Sequence, residues 1–167
     1  MNPQPVDSAS LAHAWPAAQT VAWATLAALL LCSVWADLQT RRISNRLVAA
    51  GAASAVAQQL LLPQGLHPAI GPAYGTPGVL MGAMAAALML AATAALWRLG
   101  LWGAGDAKWL TVLAAHSGPA LVWPLLWWTV VAGGVLALVW KAMNWRKPMP
   151  YALAITAGEL ALVASAP

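Results

Sequence analysis

Pro77-Gly-Val-Leu-Met-Gly-Ala-Met-Ala-Ala-Ala-Leu-Met-Leu-Ala-Ala-Thr-Ala-Ala-Leu-Trp97 contains no charged side chain. A helix rises about 1.5 Å per residue, so about 20 apolar residues cross the ~30 Å hydrocarbon core of a bilayer. The stretch therefore reads as a transmembrane helix. Gly78 and Gly82 lie four apart on one face, a small-xxx-small spacing that lets helices approach closely. Upstream, Pro63, Pro68, Pro72 and Pro77, interleaved with Gly65, Gly71 and Gly75, mark 63–76 as a loop. Working outward, similar runs occupy 20–37, 46–62, 104–118, 119–140 and 149–165, with His116-Ser117-Gly118-Pro119 as the turn that divides the fourth from the fifth. Gly133 and Gly134 offer the fifth segment the same close packing. The expected fold is an all-α integral membrane protein, a bundle of about six transmembrane helices. Residues 1–19 read as a polar N-terminal tail and 20–166 as a single membrane domain.

Composition points the same way. Of 167 residues, 62% are hydrophobic and only 7% charged. A soluble domain carries about 25% charged residues, so a water-facing globular surface is excluded. Phe is absent while Trp occurs 11 times. Trp15, Trp35, Trp97, Trp102, Trp140 and Trp145 fall near the ends of apolar runs, where amphipathic rings favour the headgroup zone. A single Cys, Cys32, leaves no disulfide framework and no Cys-rich metal site. The first apolar run does not read as a removable signal peptide, because no Lys or Arg precedes it and it exceeds a usual signal core.

The net charge of +4 is distributed as a topology signal rather than as a nucleic-acid surface. Arg41, Arg42 and Arg46 lie between segments one and two, Arg98 and Lys108 at the junction of three and four, and Lys141, Arg146 and Lys147 between five and six. The remaining connections and both ends carry no Lys or Arg. Under the positive-inside rule this alternation predicts both termini on the non-cytoplasmic side and the basic connections in the cytoplasm.

The acidic side chains are four: Asp7, Asp37, Asp106 and Glu159. Asp7 sits in the polar tail. The others lie in or at the edge of apolar segments, where ionisable groups are costly and default to functional hypotheses. Asp37 closes segment one and Asp106 opens segment four, so the predicted topology brings both to the cytoplasmic boundary. Two carboxyls in one partly desolvated pocket resist ionising together. The ionised member can take a proton from an attacking water while the protonated member donates to a carbonyl oxygen. Gly103 and Gly105 suit a close backbone approach beside Asp106. Structural roles compete with this reading. Asp37 has Arg41 four residues on, on the same helical face, and Asp106 is placed to cap helix four.

At these residues the chain resembles the type IV prepilin peptidase family. That family is marked by an aspartate followed by an Arg-Arg-Ile-Pro-Asn-like stretch, and by Gly-x-Gly-Asp followed by Lys. Here the two read Asp37-Leu-Gln-Thr-Arg41-Arg42-Ile43-Ser44-Asn45 and Gly103-Ala-Gly105-Asp106-Ala-Lys108. The short chain and Pro150-Tyr151-Ala-Leu-Ala-Ile155 are similar to compact members serving tight-adherence (Flp) pili. The resemblance implies an aspartic endopeptidase of the bacterial inner membrane, with Asp37 and Asp106 catalytic and no metal or other cofactor. It implies cleavage of the basic leader of prepilins or pseudopilins at the cytoplasmic face, among partners that include the bilayer and the pilus assembly machinery but no nucleic acid. Ser44 departs from the family's Pro and is expected to loosen that turn. The Cys-rich segment of longer, methylating members has no counterpart here, so methyl transfer is not expected.

Lys108 reads as a helix anchor or as a cation steering substrate, Arg41, Arg42 and Arg46 as topology and headgroup anchors, and Asn45 as a cap for segment two. Glu159 has no role in this reading. His13, His67 and His116 are expected at the opposite face from the aspartates. A presenilin-like or signal-peptide-peptidase-like protease shares Gly-x-Gly-Asp, but the Pro-Ala-Leu signature expected near its C-terminus does not occur there. A non-catalytic scaffold or small transporter would keep the carboxylates for structure or proton movement, and would tolerate Asp→Asn at one site or the other.

Overall fold

In the computed structural model, which describes residues 8–61, 78–146 and 148–165, the apolar runs form six α-helices. They are α1 (Ser8–Thr40), α2 (Asn45–Leu61), α3 (Val79–Arg98), α4 (Ala104–Ser117), α5 (Val122–Ala142) and α6 (Tyr151–Ser165). The loop expected over 63–76, Asp7, His67 and Lys147 fall outside the described residues, as does the side chain of His13. α1 begins ahead of the expected end of the tail, and the part of it long and apolar enough to cross a membrane is Thr20–Thr40.

The chain is a helical membrane protein. Two further stretches meet the same length and apolarity, Val79–Arg98 and Pro119–Ala142, while Tyr151–Ser165 is a shorter apolar helix. α4, with 14 residues, is about 21 Å long, less than the ~30 Å of a hydrocarbon core. It has no need to face lipid: Trp109, Leu110, Leu113 and Ala114 are fully buried, and α2 and α3 pack closely on it. The outer surface is apolar instead, with Leu80 and Trp123 each 71% exposed. Ser33, Thr93, Thr129, His116 and Glu159 point inward. This inversion of a soluble protein's pattern follows from the solvent, since polar side chains in a bilayer are retained only where the bundle interior meets them.

The turn between α4 and α5 forms where the sequence places it. Gly118 adopts φ 85, and Pro119 opens a 3₁₀ turn, Pro119–Leu121, that leads into α5. Glycines then set how closely helices approach. A Cβ on Gly82 would come within 2.9 Å of the Ala115 carbonyl oxygen and 2.8 Å of Gln59 Nε2. Those two groups are themselves joined by a 2.7 Å hydrogen bond from Gln59 to Ala115 that ties α2 to α4. At Gly158 of α6 a Cβ would lie 2.7 Å from the Thr129 backbone nitrogen of α5. Gly78 and Gly134, expected to help in the same way, have open space at their Cβ positions. Each belongs to a pair of which only one member faces a neighbouring helix.

The connections that carry the basic residues converge at one end of the bundle. Arg41, Arg42 and Ile43 after α1, Gly103 before α4, and Pro148 and Met149 before α6 all line one cavity there.

Two glycines of neighbouring helices should respond in opposite directions. Gly158→Ala forces a methyl against α5 backbone and should cost about 1–3 kcal/mol. Gly134→Ala fills open space in a helix interior and should be neutral or stabilising by up to about 1 kcal/mol. Thermal melts in a single detergent check both signs.

Candidate active site

Asp37 lies near the end of α1 and is 7% exposed. The helix stops three residues later because Arg41 turns left-handed at φ 55, its N–H still reaching the Asp37 carbonyl at 2.9 Å. Non-glycine residues adopt that conformation at a cost, and the gain is a sharp exit that frees the Asp37 side chain from its own helix's continuation. The carboxyl is taken up elsewhere in the chain. Its Oδ2 accepts a 3.0 Å hydrogen bond from the backbone N–H of Ala152, in the first turn of α6. Pro150, buried just before that turn, contributes no N–H of its own. Asp37 thus faces the positive end of a helix far away in sequence.

Asp106 is held by the start of its own helix. Gly103, in extended conformation at φ −76 and ψ 143, is the N-cap of α4, and Asp106 stands in the first turn. Its carboxyl folds back over Gly103 with that backbone as a hydrogen-bond partner, as in the second half of a capping box. The fit leaves no room for a side chain at the cap, since a Cβ on Gly103 would lie 2.7 Å from Asp106 Oδ2. Gly105 differs. Its nearest neighbours, Cβ and backbone nitrogen of Ile43, are at 3.7 Å, an ordinary contact. The expected close approach beside Asp106 belongs to Gly103 alone.

Both carboxyls line the same cavity of about 410 Å³, and their charges repel one another across it. One site therefore collects a buried carboxyl from α1 and a half-buried one from α4, each set against the first turn of a helix. A pair so placed can divide the tasks of activating a water and protonating a carbonyl oxygen.

The residues around the pair are arranged differently from the sequence expectation in two respects. Arg41 does not continue the α1 face as an i+4 partner for Asp37, because its left-handed backbone takes it out of the helix; its Nη1 is buried without a hydrogen-bond partner. Asn45 is the first residue of α2 rather than its cap. Ser44 takes that place, with its hydroxyl accepting from Leu47 N–H at 3.2 Å and its carbonyl from Val48 N–H at 3.1 Å. A residue expected to loosen the turn instead closes it. Asn45 Oδ1 is left to accept from Lys108 Nζ at 3.1 Å, which fastens α2 to α4 at the rim of the cavity. Arg42 and Lys108 are exposed there.

Sequence reasoning overlooked the α6 side of the site. A backbone N–H such as that of Ala152 has no side-chain signature, and Tyr151, which lines the cavity, gave no signal beyond its place in a family-like stretch. The other candidates lie apart. His116 is buried at the far end of α4, 3.0 Å from the Val112 carbonyl and 3.4 Å from Ser54 Oγ. Glu159 is buried within the bundle on α6, and Cys32 is exposed on α1. Among the described residues no three His, Cys, Asp or Glu side chains converge in a way that would hold a metal ion.

The family model described as the type IV leader peptidase family matches residues 24–138, a span containing Asp37, Gly103 and Asp106 and ending before α6. No curated protein and no solved structure gives a significant match.

The Ala152 contact separates two substitutions at one position. Asp37→Asn keeps an oxygen acceptor for that N–H, whereas Asp37→Ala leaves a buried donor unmade at a cost of about 1–3 kcal/mol. Melting in detergent should therefore show Asn close to wild type and Ala clearly below it.

Proposed function

The chain belongs to the type IV leader peptidase family, and on that premise we propose that it is a membrane-embedded aspartic endopeptidase. It removes the basic leader of prepilins or pseudopilins at the cytoplasmic face of the bacterial inner membrane. The observation that carries this reading is the meeting of Asp37 and Asp106 in one cavity.

In the proposed reaction one carboxylate of the pair takes a proton from water as the water oxygen bonds to the scissile carbonyl carbon. The partner carboxylic acid donates its proton to the carbonyl oxygen, giving a neutral tetrahedral intermediate. Collapse breaks the C–N bond, and a proton from the pair goes to the leaving amine. The base and acid roles belong to the pair as a unit rather than to either residue fixed in advance. Asp37 and Asp106 are the catalytic residues in this account, and Gly103 is the close-packed support that lets the Asp106 carboxyl lie back over its own helix start.

The convergence of the basic connections on the cavity end supports a cytoplasmic site. Arg42 and Lys108, exposed at the rim, meet anionic headgroups more naturally than they meet a leader that is itself basic. A substrate whose apolar helix lies in the bilayer would present the junction between leader and helix at this level. Within the family, the compact members of tight-adherence pilus systems are the proposed subtype.

A structural role for Asp106 is also realised, since its carboxyl caps α4. Isosteric substitution distinguishes the two, because Asn can still accept from the Gly103 amide but cannot exchange protons with water or a carbonyl. With a tight-adherence prepilin co-expressed and its N-terminus read by mass, wild type should remove the leader. Asp37→Asn and Asp106→Asn should each lose about 10²–10⁴-fold in rate at equal abundance. Gly103→Ala, which displaces the Asp106 carboxyl, should lose far more activity than Gly105→Ala. Processing that survives in either Asn variant would overturn the catalytic pair.

A further inference from the structure

The two backbone elements that hold the carboxyls are each preceded by an aromatic residue, and those residues touch. Trp102 comes immediately before Gly103, whose backbone meets Asp106; Tyr151 comes immediately before Ala152, whose N–H meets Asp37. The Trp102 and Tyr151 rings pack edge to face, with centroids 5.7 Å apart and planes at 65°. Trp102 is also a hydrogen-bond partner of the Tyr151 side chain. Both are packed partly buried against the core, and Tyr151 faces the cavity. A third element backs the contact. A Cβ on Gly133 of α5 would lie 2.7 Å from the Tyr151 hydroxyl and 3.1 Å from its ring, so the phenol is seated directly on α5.

The geometry points to Trp102 and Tyr151 as a positioning pair, a crossbar between the start of α4 and the start of α6 that fixes the separation of the Asp37 and Asp106 carboxyls. The inference rests on the aspartic peptidase reading and adds to it two residues that touch neither the proposed water nor the scissile carbonyl. Tyr151 lies outside the part of the chain that matches the family, which ends at residue 138. The physical need is plain. A carboxyl pair divides the base and acid roles only while each feels the other's charge, and that interaction weakens with distance. Each carboxyl is fastened to the first turn of a different helix, so nothing in either attachment alone sets the gap between them. The aromatic contact links those two turns one residue away from each attachment.

The test uses the full chain reconstituted in vesicles, with a prepilin as substrate and kcat, KM and pH profile as readouts. Trp102→Ala and Tyr151→Ala should lower kcat about 10- to 100-fold, the scale of an ångström-level misplacement, with KM changed less than about threefold. Their pH profiles should narrow as well, since carboxyls that move apart couple less and their two apparent titrations draw together. Trp102→Phe and Tyr151→Phe keep a ring at the contact and should hold kcat and the width of the profile nearer to wild type than the Ala variants do. Gly133→Ala should lose activity by pushing on the phenol, and adding Tyr151→Phe should restore part of it by removing the closest atom. Ala variants with wild-type kcat, or with losses that merely track the folded fraction at an unaltered profile, would overturn the crossbar. Asp37→Asn is run alongside. If it still cleaves, the catalytic pair on which the crossbar rests fails; if it is inactive while the Ala variants behave as wild type, only the crossbar fails.

Discussion

A carboxyl carried into an apolar bundle must be met by hydrogen-bond donors, and in this protein the nearest supply is the unpaired N–H groups at helix starts. The 3.0 Å contact from Ala152 N–H to Asp37 is the clearest instance, and much of the architecture follows from it. α6 has to begin beside the end of α1, so the chain turns at Pro148 to Pro150 at that height. α1 has to end soon after Asp37, and Arg41 accepts a left-handed backbone to end it. α4 has to begin at the same height as α6 if Asp106 is to reach the same cavity, which leaves it as a short central helix enclosed by its neighbours.

Asp106 shows that a structural role and a catalytic role need not compete. Its carboxyl completes the first turn of α4 and faces Asp37 from that position. A cap fixes a side chain's rotamer, and a fixed rotamer is what a paired carboxyl needs if a water is to be held between it and its partner. The requirement falls on Gly103, where a methyl would press against the carboxyl oxygen at 2.7 Å. The neighbouring Gly105 carries no such requirement, although the two look equivalent in the motif.

Much of this was legible in the chain itself. Long runs without charge gave the helical membrane class, Gly118-Pro119 gave the break between α4 and α5, and the positions of Asp37 and Asp106 at segment ends brought them to one end of the bundle. What escaped depended on contacts between distant segments. No residue type announces a backbone donor, so the hold of α6 on Asp37 was invisible. Ser44 looked like a loss beside the family's proline and proved to cap α2, because a hydroxyl can close a helix start that a proline ring would have shaped by other means. Arg41 looked like a helical partner for Asp37 because spacing assumes a continuing helix, and the helix does not continue. Helix periodicity reads faces; it does not read where a chain leaves them.

The central claim is that two carboxyls form one electrostatic unit, and the direct measurement is their titration. Aspartate occurs only at positions 7, 37 and 106, so a chain labelled with carboxyl-¹³C aspartate has one signal for each. Followed by NMR across pH, the Asp106 signal should carry the influence of the Asp37 charge that it faces across the cavity. Asp37→Asn should convert the Asp106 curve to a single displaced step. An Asp106 titration that is the same with and without the Asp37 carboxyl would mean that the two do not share a site, and the account would fail at its base.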